Sequence, residues 1–367
     1  MARWQGKKES IQSAGSVLPR LEDLISADSK KISWTHNLKQ DLQRGKILDH
    51  SDGQFVSCLY RPFTKQWQFY SRRFNERVYQ MPQIFPNGEL SNRVIAVTGK
   101  GGRSGFSTLM LDRLPSLDTI EKGQCFPLYL HEPDKQAETL SLLSDSASAS
   151  GYQRRDAITQ AGLNHFRNAY PGEDITREDI FHYVYGLLHS EDYRVRYRDN
   201  LAKDLPRIPC VKAVEDFRAF RDAGKHLGEL HVGYESVEPY SGVHIEIDSR
   251  TSTMPMEQTY RVRKMRHYGT GKDKDITTVF YNSHISINKI PKAAWDYVVN
   301  GKPALVWVME RQCLKTDKAS GIVSDANRYA IETVGDPRYP LDLFLRVITV
   351  SLETMRIVRA LPELEIK

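Results

Sequence analysis

The sequence predicts an α+β protein with a mixed, β-rich N-terminal part, a central helical bundle, and a C-terminal α/β part that ends in a long amphipathic helix. Three observations predict this class. Short β-branched and aromatic runs bounded by Pro and Gly fill residues 53–130, the hydrophobic period becomes helical from residue 152, and strand signals return after Pro239. The 367 residues, of which 40% are hydrophobic, provide enough apolar surface for two or three packed units.

The first 150 residues are predicted to hold a lead-in, strands and a linker. Residues 1–50 are polar or sparsely apolar with helical spacing, which indicates a linker and a helical coupler. Residues 51–130 form the β-rich segment, with strands predicted at 55–60, 67–70, 93–98 and 126–130. Residues 131–150 have no aromatic side chain and a net charge of −3, so they are predicted to be a surface linker.

Residues 151–235 are predicted to form the helical bundle. Thr176 and Asp179 have the spacing of a capping box ahead of an apolar stripe, so a helix is expected to begin there. A second helical pattern begins after Ser190 and is ended by two prolines. A third pattern covers residues 213–231, which carry aromatic and leucine side chains at helical spacing.

Residues 236–367 are predicted to be an α+β part. Strands are predicted at 243–247 and 278–281, and short helices at 295–299 and 305–309. The apolar stripe that opens after Pro340 predicts a long final helix. Residues 260–268 carry charge on both sides of an alternating pattern, which favours an exposed ribbon or loop.

The positive charge of the chain is local. The formal net charge is +6. Residues 60–113 hold nine Lys and Arg against three acids, and residues 260–274 hold six against one acid. Since these two windows carry more than the whole net charge, the rest of the chain is net negative. Such segregation is typical of a polyanion-binding surface, with ordinary solvated charge as the alternative.

Aromatic side chains are interleaved with the cations of the first window. In residues 59–77 each aromatic ring can stack or pack while Arg, Lys, Gln and Asn face phosphates or base edges. This arrangement favours a nucleic-acid-binding segment. The alternative is a hairpin with one buried aromatic face and an ordinary charged face.

Motifs that would carry catalysis are missing. The glycine loop at residues 99–105 follows a strand, but its spacing matches neither a P-loop nor a dinucleotide-binding loop. It is predicted to be a flexible loop that faces DNA or solvent. His182 and His189, like His226 and His231, lack the spacing of a helical metal pair. No catalytic residue and no metal ligand is therefore predicted.

The cysteine pattern and the hydropathy of the chain indicate the cellular compartment in which the protein is expected. The four cysteines lie far apart and form no C-x-x-C pair, so neither a disulfide framework nor a zinc site is indicated. A reducing, cytoplasmic location is expected. No apolar stretch approaches the length of a membrane span, and no membrane partner is expected.

Several long motifs follow one another from about residue 30 to the end of the chain. They are Ser33-Trp-Thr…Leu38-Lys, Tyr60-Arg-Pro-Phe-x-Lys…Tyr70, Phe74-Asn-Glu…Tyr79-Gln-x-Pro-x-Ile84-Phe-Pro, Gln124-Cys-Phe-Pro-Leu-Tyr129, Asp179-Ile-Phe-His-Tyr-Val-Tyr-Gly-Leu-Leu-His-Ser190, Leu205-Pro-Arg-Ile-Pro209, Tyr281-Asn-Ser-His-Ile285, Tyr297-Val-Val-Asn-Gly301 and Gly335-Asp-Pro-Arg-Tyr339. In this order and number they resemble the C-terminal specificity (target-recognition) region of type ISP restriction-modification enzymes.

The resemblance implies a parent polypeptide with nuclease, helicase-like translocase and adenine-methyltransferase parts ahead of this region. It implies that this chain is a non-catalytic module that binds a specific double-stranded DNA sequence for those parts, which are its expected partners. No cofactor is expected in this chain, since S-adenosylmethionine, ATP and Mg would belong to the missing domains. Residues 51–130 would lie next to the missing methyltransferase, and residues 236–367 would carry DNA specificity.

The two basic windows, together with Asn282 and His284 that flank the second, supply the candidate DNA-binding residues. The set is Arg61, Lys65, Arg72, Arg73, Arg77, Lys100, Arg103, Arg261, Arg263, Lys264, Arg266, His267, Asn282 and His284. Two alternatives remain at this point. One is a DNA-modifying enzyme fragment, either a degenerate methyltransferase or a nuclease, and the other is a scaffold that docks onto methyltransferase and translocase partners without binding DNA.

Overall fold

The computed structural model describes residues 34–46, 53–88, 90–134, 151–269 and 274–367, with the single positions 25, 26, 28, 49, 51 and 271. The start of the predicted lead-in and residues 135–150 of the predicted linker lie outside the described residues. The helices and strands of the described part confirm the α+β class.

The N-terminal part contains a hairpin, a three-stranded sheet and a further pair of strands. Its elements are α1 (His36–Gln43), β1 (Gln54–Arg61), β2 (Thr64–Tyr70), α2 (Met81–Ile84), β3 (Val94–Val97), β4 (Thr108–Leu111), β5 (Gln124–Pro127), β6 (Tyr129–Pro133) and β7 (Tyr152–Asp156). Strand β1 pairs with β2, the three-stranded sheet has the order β4-β3-β5, and β6 pairs with β7. The predicted strands are confirmed, and the last of them is divided into β5 and β6.

Strands β4 and β7 were not predicted. Strand β4 has the sequence Thr-Leu-Met-Leu, so it lacks the β-branched run that marks the equally buried strand β3. Strand β7 is mostly exposed and forms by pairing with β6 from Tyr129↔Asp156 to Pro133↔Tyr152. The prediction that the linker begins at 131 and the helical part at 152 is wrong, because an exposed two-stranded ribbon shows no hydrophobic pattern.

The bundle consists of α3 (Gln160–Ala169), α4 (Arg177–Leu187), α5 (Glu191–Arg196), α6 (Arg198–Leu201) and α7 (Val214–Val232). The capping box that begins α4 is confirmed. The amide N of Asp179 donates to Thr176 Oγ1 at 3.1 Å, and the amide N of Thr176 donates to Asp179 Oδ2 at 2.9 Å. Ser190 caps α5 by accepting from the amide N of Tyr193.

Helices α4 and α7 pack together at two glycines. A Cβ atom at Gly224 would lie 1.9 Å from the carbonyl oxygen of His182, and one at Gly186 would lie 2.0 Å from the carbonyl oxygen of Phe220. Beside this crossing, the rings of Tyr183 and Phe217 stack with centroids 4.8 Å apart. The two backbones approach this closely because neither glycine has a side chain.

The C-terminal part contains β8 (His244–Ile247), α8 (Met256–Thr259), β9 (Arg266–Tyr268), β10 (Asp275–Phe280), β11 (Ile285–Asn288), β12 (Val298–Val299), β13 (Lys302–Pro303), α9 (Ala304–Arg311), β14 (Leu314–Thr316), β15 (Val323–Asp325), α10 (Ala326–Tyr329) and α11 (Tyr339–Arg359). Two 3-10 helices, Ser249–Thr253 and Lys292–Trp295, and a π-helical turn, Ala330–Val334, connect them. A four-stranded antiparallel sheet has the order β8-β11-β10-β9. The predicted long final helix is confirmed as α11.

The helix predicted at 295–299 is wrong, whereas the one at 305–309 is confirmed as α9. The 3-10 helix ends at Trp295, and Val298–Val299 form strand β12, which pairs with β13. Asn300 (φ 50°) and Gly301 (φ 76°) connect these strands in the left-handed region. An Asn-Gly pair supports such a hairpin turn, and this turn signal outweighs the helical spacing of the preceding residues.

The strands β3 and β4 lie between two hydrophobic cores. On one face, Ala96 and Leu109 pack in a core that includes most of the buried side chains of α11. On the other face, Ile95 and Met110 pack in a core built with the helical bundle. Each core draws residues from more than one of the predicted segments, and the division of the chain into those domains stays a prediction.

Candidate nucleic-acid interface

Two cations of the first basic segment (residues 60–113) contact other parts of the protein. Lys65 Nζ donates to Glu235, and the Lys65 side chain is only 13% exposed. Arg61 donates to Ser116 Oγ at 3.0 Å and lies 3.5 Å from Asp118. These contacts hold the β1–β2 hairpin against its surroundings, and a role in DNA binding stays a prediction for both residues.

The turn after β2 presents Arg72, Arg73 and Arg77 at the surface. Ser71 Oγ accepts from the amide N of Arg73 at 3.2 Å, which shapes the turn. Arg77 has a left-handed backbone, with φ of 57°. Arg72 and Arg73 line a shallow depression, open to solvent, together with residues of α1 and the turn that follows it: Asn37, Gln40, Asp41 and Arg44.

The glycine loop at residues 99–105 is held by a carboxylate. Glu121 Oε2 accepts from the amides of Arg103 and Ser104, each at 2.8 Å, and from Ser104 Oγ at 2.7 Å. The hydrogen bonds from Ser104, with that from Arg103, lower the pKa of Glu121. Asn300 Oδ1 accepts from the amide N of Glu121 at 2.8 Å. Consecutive amides thus bind an anion as in a phosphate site, but the anion is the protein's own side chain.

Lys100 and Arg103 lie on this loop with exposed side chains. Lys100 Nζ lies 2.7 Å from Asp204 Oδ1, and both side chains are more than half exposed. Because exposed ion pairs contribute only about 0–1 kcal/mol, this pair leaves Lys100 able to exchange its partner. The seven candidate cations of the first basic segment are therefore divided among three places with different neighbours.

The second basic segment (residues 260–274) is anchored by apolar residues and projects its cations. Val262 and Met265 are buried, whereas Arg261, Arg263, Lys264 and Arg266 are exposed. The buried positions are three apart, so the segment does not follow the strict alternation of a strand until β9 begins. This agrees with the predicted exposed ribbon or loop.

Asn327 fixes the backbone of the second basic segment. Its Oδ1 accepts from the amide N of Val262, and its Nδ2 donates to the carbonyl oxygen of Val262, both at 2.8 Å. At one end of the segment, Arg261 lies 3.6 Å from Asp325. The backbone is thus held by a side-chain amide while the cationic side chains remain outside.

The three polar candidates near this segment are partly buried. Asn282 Nδ2 donates to the carbonyl oxygens of Thr259 at 2.8 Å and Arg261 at 3.2 Å, and its Oδ1 accepts from the amide N of His284 at 2.8 Å. The ring of His267 lies 4.8 Å from that of Trp295, and burial lowers the pKa of His267. Asn282 thus supports the segment's backbone, and direct base contacts by these residues stay a prediction.

The outer face of the four-stranded sheet adds residues that the sequence did not single out. Phe280 pairs in register with Arg266 on one side and Ser286 on the other, so these side chains share a face. Tyr268, two residues beyond Arg266, is 58% exposed, and its ring centroid lies 5.9 Å from that of Phe280. Two exposed aromatic rings therefore lie beside the cations of the second basic segment.

The described residues contain neither a candidate metal site nor a membrane span. Among these residues, no group of three or more His, Cys, Asp or Glu side chains is placed to hold a metal ion. No helix in the described ranges is long and apolar enough to cross a membrane.

Comparison with known proteins places this surface in context. A family model described as the Type ISP C-terminal specificity domain matches residues 7–343. The ATP-dependent Type ISP restriction-modification enzyme LlaBIII bound to DNA matches with 33% identity and a TM-score of 0.82, over 100% of this chain and 22% of that chain. No curated protein matches.

Two further solved structures are similar. A nuclease-deletion mutant of the Type ISP restriction-modification enzyme LlaGI in complex with a DNA substrate mimic matches with 32% identity and a TM-score of 0.78, over 100% of this chain and 30% of that chain. A DrdV–DNA complex matches with 33% identity and a TM-score of 0.77, over 98% of this chain and 33% of that chain. The chain thus spans no more than about a third of these relatives.

Proposed function

Because this chain belongs to the family of Type ISP C-terminal specificity domains, we propose that it is the non-catalytic target-recognition module of a restriction-modification enzyme and binds a specific double-stranded DNA sequence. The observation that carries the proposal is the second basic segment. Four of its cations, Arg261, Arg263, Lys264 and Arg266, project from a backbone fixed by Asn327 and Asn282. The similarity to three proteins solved with DNA or a DNA mimic supports the same function.

We divide the cations into those expected to contact phosphates and those expected to contact bases. Arg72 and Arg73 are exposed on the turn after β2, and Arg103 is exposed on the glycine loop. We assign these three arginines to phosphates. At least one of Arg263 and Arg266 reaches base edges, since these side chains leave a fixed backbone beside the aromatic face of the sheet. An arginine can donate two hydrogen bonds to the major-groove edge of guanine, which is worth about 1–3 kcal/mol of discrimination.

The remaining activities are assigned to other parts of the parent enzyme. Adenine methylation, ATP-dependent translocation and cleavage, with S-adenosylmethionine, ATP and Mg, would belong to the methyltransferase and translocase-nuclease parts that are this module's partners. The share of the relatives that this chain spans, 22% to 33%, supports such a division.

Fluorescence anisotropy with labelled duplex DNA tests the binding function. We expect binding that weakens steeply with salt, because each neutralised phosphate contributes about −0.9 to the slope of log affinity against log salt. Arg263→Ala and Arg266→Ala should lower discrimination among sequences in a selection from a random duplex pool. Arg72→Ala should weaken all sequences alike.

Two results would contradict this function. Absence of binding to duplex DNA even at low ionic strength would favour a docking scaffold. Methyl transfer or cleavage by the purified chain with S-adenosylmethionine, ATP and Mg, lost on substitution of a residue in this chain, would favour a DNA-modifying enzyme fragment.

A further inference from the structure

We infer that the hairpin formed by β14 and β15 enters the major groove beside the second basic segment, with Ile322 at the base edges and Lys315 and Lys318 at the flanking phosphates. This inference rests on the proposed function and adds a recognition element to it. The hairpin lies outside both basic windows of the sequence, so charge counting did not identify it.

The hairpin is a preformed two-stranded ribbon. Its register runs from Leu314↔Asp325 to Thr316↔Val323. The amide N of Asp317 donates to the carbonyl oxygen of Ile322 at 2.8 Å, and Asp317 Oδ1 accepts from Ser320 N at 2.7 Å and Ser320 Oγ at 2.8 Å. Because these bonds close the turn, little conformational entropy is lost when the tip binds a partner.

The base of the hairpin is attached to the second basic segment. The amide N of Leu314 donates to the carbonyl oxygen of Arg263 at 3.0 Å. At the other strand, Asp325 lies 3.6 Å from Arg261, and its neighbour Asn327 holds Val262. The hairpin and the cations of the segment are therefore held in a fixed relation.

The chemistry of the hairpin fits DNA. Lys315 and Lys318 are exposed, and the acid of the turn, Asp317, is occupied by Ser320. Ile322 is 65% exposed and Val323 is 57% exposed, so the hairpin carries exposed apolar side chains as well as its two lysines. Apolar side chains contact thymine methyl groups in the major groove, and lysines bind the adjoining phosphates.

The size of the hairpin favours the major groove. Paired strands lie about 4.8 Å apart, and the major groove of B-DNA is about 12 Å wide, which admits a two-stranded ribbon. The minor groove, about 6 Å wide, does not admit such a ribbon without deformation.

Salt dependence of duplex binding tests the lysines. We expect Lys315→Ala/Lys318→Ala to reduce the slope of log affinity against log salt by about 0.9 for each lysine. The matched control is Lys203→Ala/Lys225→Ala, which removes two exposed lysines from the helical bundle and should leave the slope unchanged. An equal change in both double variants would overturn the inference.

Photo-crosslinking tests the tip independently of the lysines. A benzophenone amino acid at position 322 should crosslink to a duplex pool, whereas the same group at the exposed Val195 of α5 should not. Bulky glucosyl groups at cytosine C5, which fill the major groove, should abolish the crosslink. A minor-groove ligand should leave it intact.

The outcomes separate this inference from the proposed function. If the unchanged chain binds no duplex, the proposed function fails and the inference fails with it. If the chain binds duplex but position 322 gives no crosslink, only the inference fails. If only the minor-groove ligand removes the crosslink, the assignment to the major groove is overturned. If the benzophenone at position 322 crosslinks to protein and not to DNA, the tip belongs to a protein contact and the inference is overturned.

Discussion

Lys65 binds Glu235 across 170 positions of the chain, whereas Arg72, seven residues later, is exposed beside α1. The two cations lie in the same basic window of the sequence. Their different environments follow from tertiary contacts that charge counting cannot detect. At the scale of the residue, the sequence therefore predicts how many cations a segment has but not which of them face solvent.

We expect Lys65→Met to lower the free energy of unfolding by about 1–3 kcal/mol, because it leaves the partly buried Glu235 without its cation. Arg72→Met should change stability by less than about 0.5 kcal/mol and weaken duplex binding instead. Urea denaturation and anisotropy of both variants check this pair. A large stability loss in Arg72→Met, or none in Lys65→Met, would contradict the assignment.

His231 lies buried between the bundle and the final helix. Its Nδ1 lies 2.6 Å from Tyr185 Oη, and its Nε2 lies 2.9 Å from Thr354 Oγ1 of α11. Burial lowers the pKa of His231 to about 3 and lowers that of His189 well below its usual value. Both rings are therefore neutral in the folded protein at neutral pH.

Stability should consequently fall as the pH falls below about 6.5. Between that pH and about 3, the unfolded chain binds a proton at His231 that the folded chain does not, so each such histidine removes about 1.4 kcal/mol per pH unit. His231→Gln should make this dependence shallower in urea denaturation between pH 7 and 5. An equal pH dependence in His231→Gln and in the unchanged protein would contradict this assignment.

At the scale of the element, the crossing of α4 and α7 depends on two glycines. The carbonyl oxygen of His182 lies where a Cβ of Gly224 would be, so any side chain there must displace a backbone. The helical periodicity predicts both helices. It does not predict this crossing. From the sequence alone, a glycine inside a helix indicates only a lower helix propensity and not a close approach of another helix.

We expect Gly224→Ala to destabilise the protein by about 1–3 kcal/mol through overpacking. Gly162→Ala in α3 is the matched control, because its Cβ would meet its nearest atoms at 3.5 Å, an ordinary contact. That variant should be neutral or stabilising by up to about 1 kcal/mol. Thermal unfolding of both proteins is the measurement, and equal effects would show that the crossing is not the cause.

Strands were predictable where a β-branched or aromatic pattern was visible. Strand β4 has only one β-branched residue, unlike the equally buried strand β3, and β7 is a mostly exposed strand with no hydrophobic pattern. The contact between Tyr268 and Phe280 likewise depends on the register of β9 and β10, and this register cannot be predicted from a single sequence. Of the candidate site, the second basic segment could be predicted from charge, but the aromatic face and the β14–β15 hairpin could not.

At the scale of the whole molecule, the two hydrophobic cores share one sheet. Leu109 and Met110 are consecutive residues of β4, and their side chains enter different cores. Neither core can lose this sheet and remain intact. The N-terminal part, the bundle and the C-terminal part are thereby linked in stability.

We expect the described parts to unfold in a single transition. Leu109→Ala in one core and Met110→Ala in the other should each cost about 2–5 kcal/mol and shift that same transition. Leu117→Ala, at an exposed position, should shift it by less than about 0.5 kcal/mol. Calorimetry with two resolved transitions, only one of which responds to each core variant, would contradict this coupling.

The hydrogen bonds that Asn327 makes with the second basic segment act on the backbone of Val262, and the neighbouring Arg261 is held only by an ion pair with Asp325 at 3.6 Å. Arg261, Arg263, Lys264 and Arg266 carry little of the folding free energy, so they can be exchanged while the anchor stays in place. Under the proposed function, the exposed residues of this segment can therefore be substituted to change the DNA sequence that is bound, while the buried anchor that holds the segment stays in place.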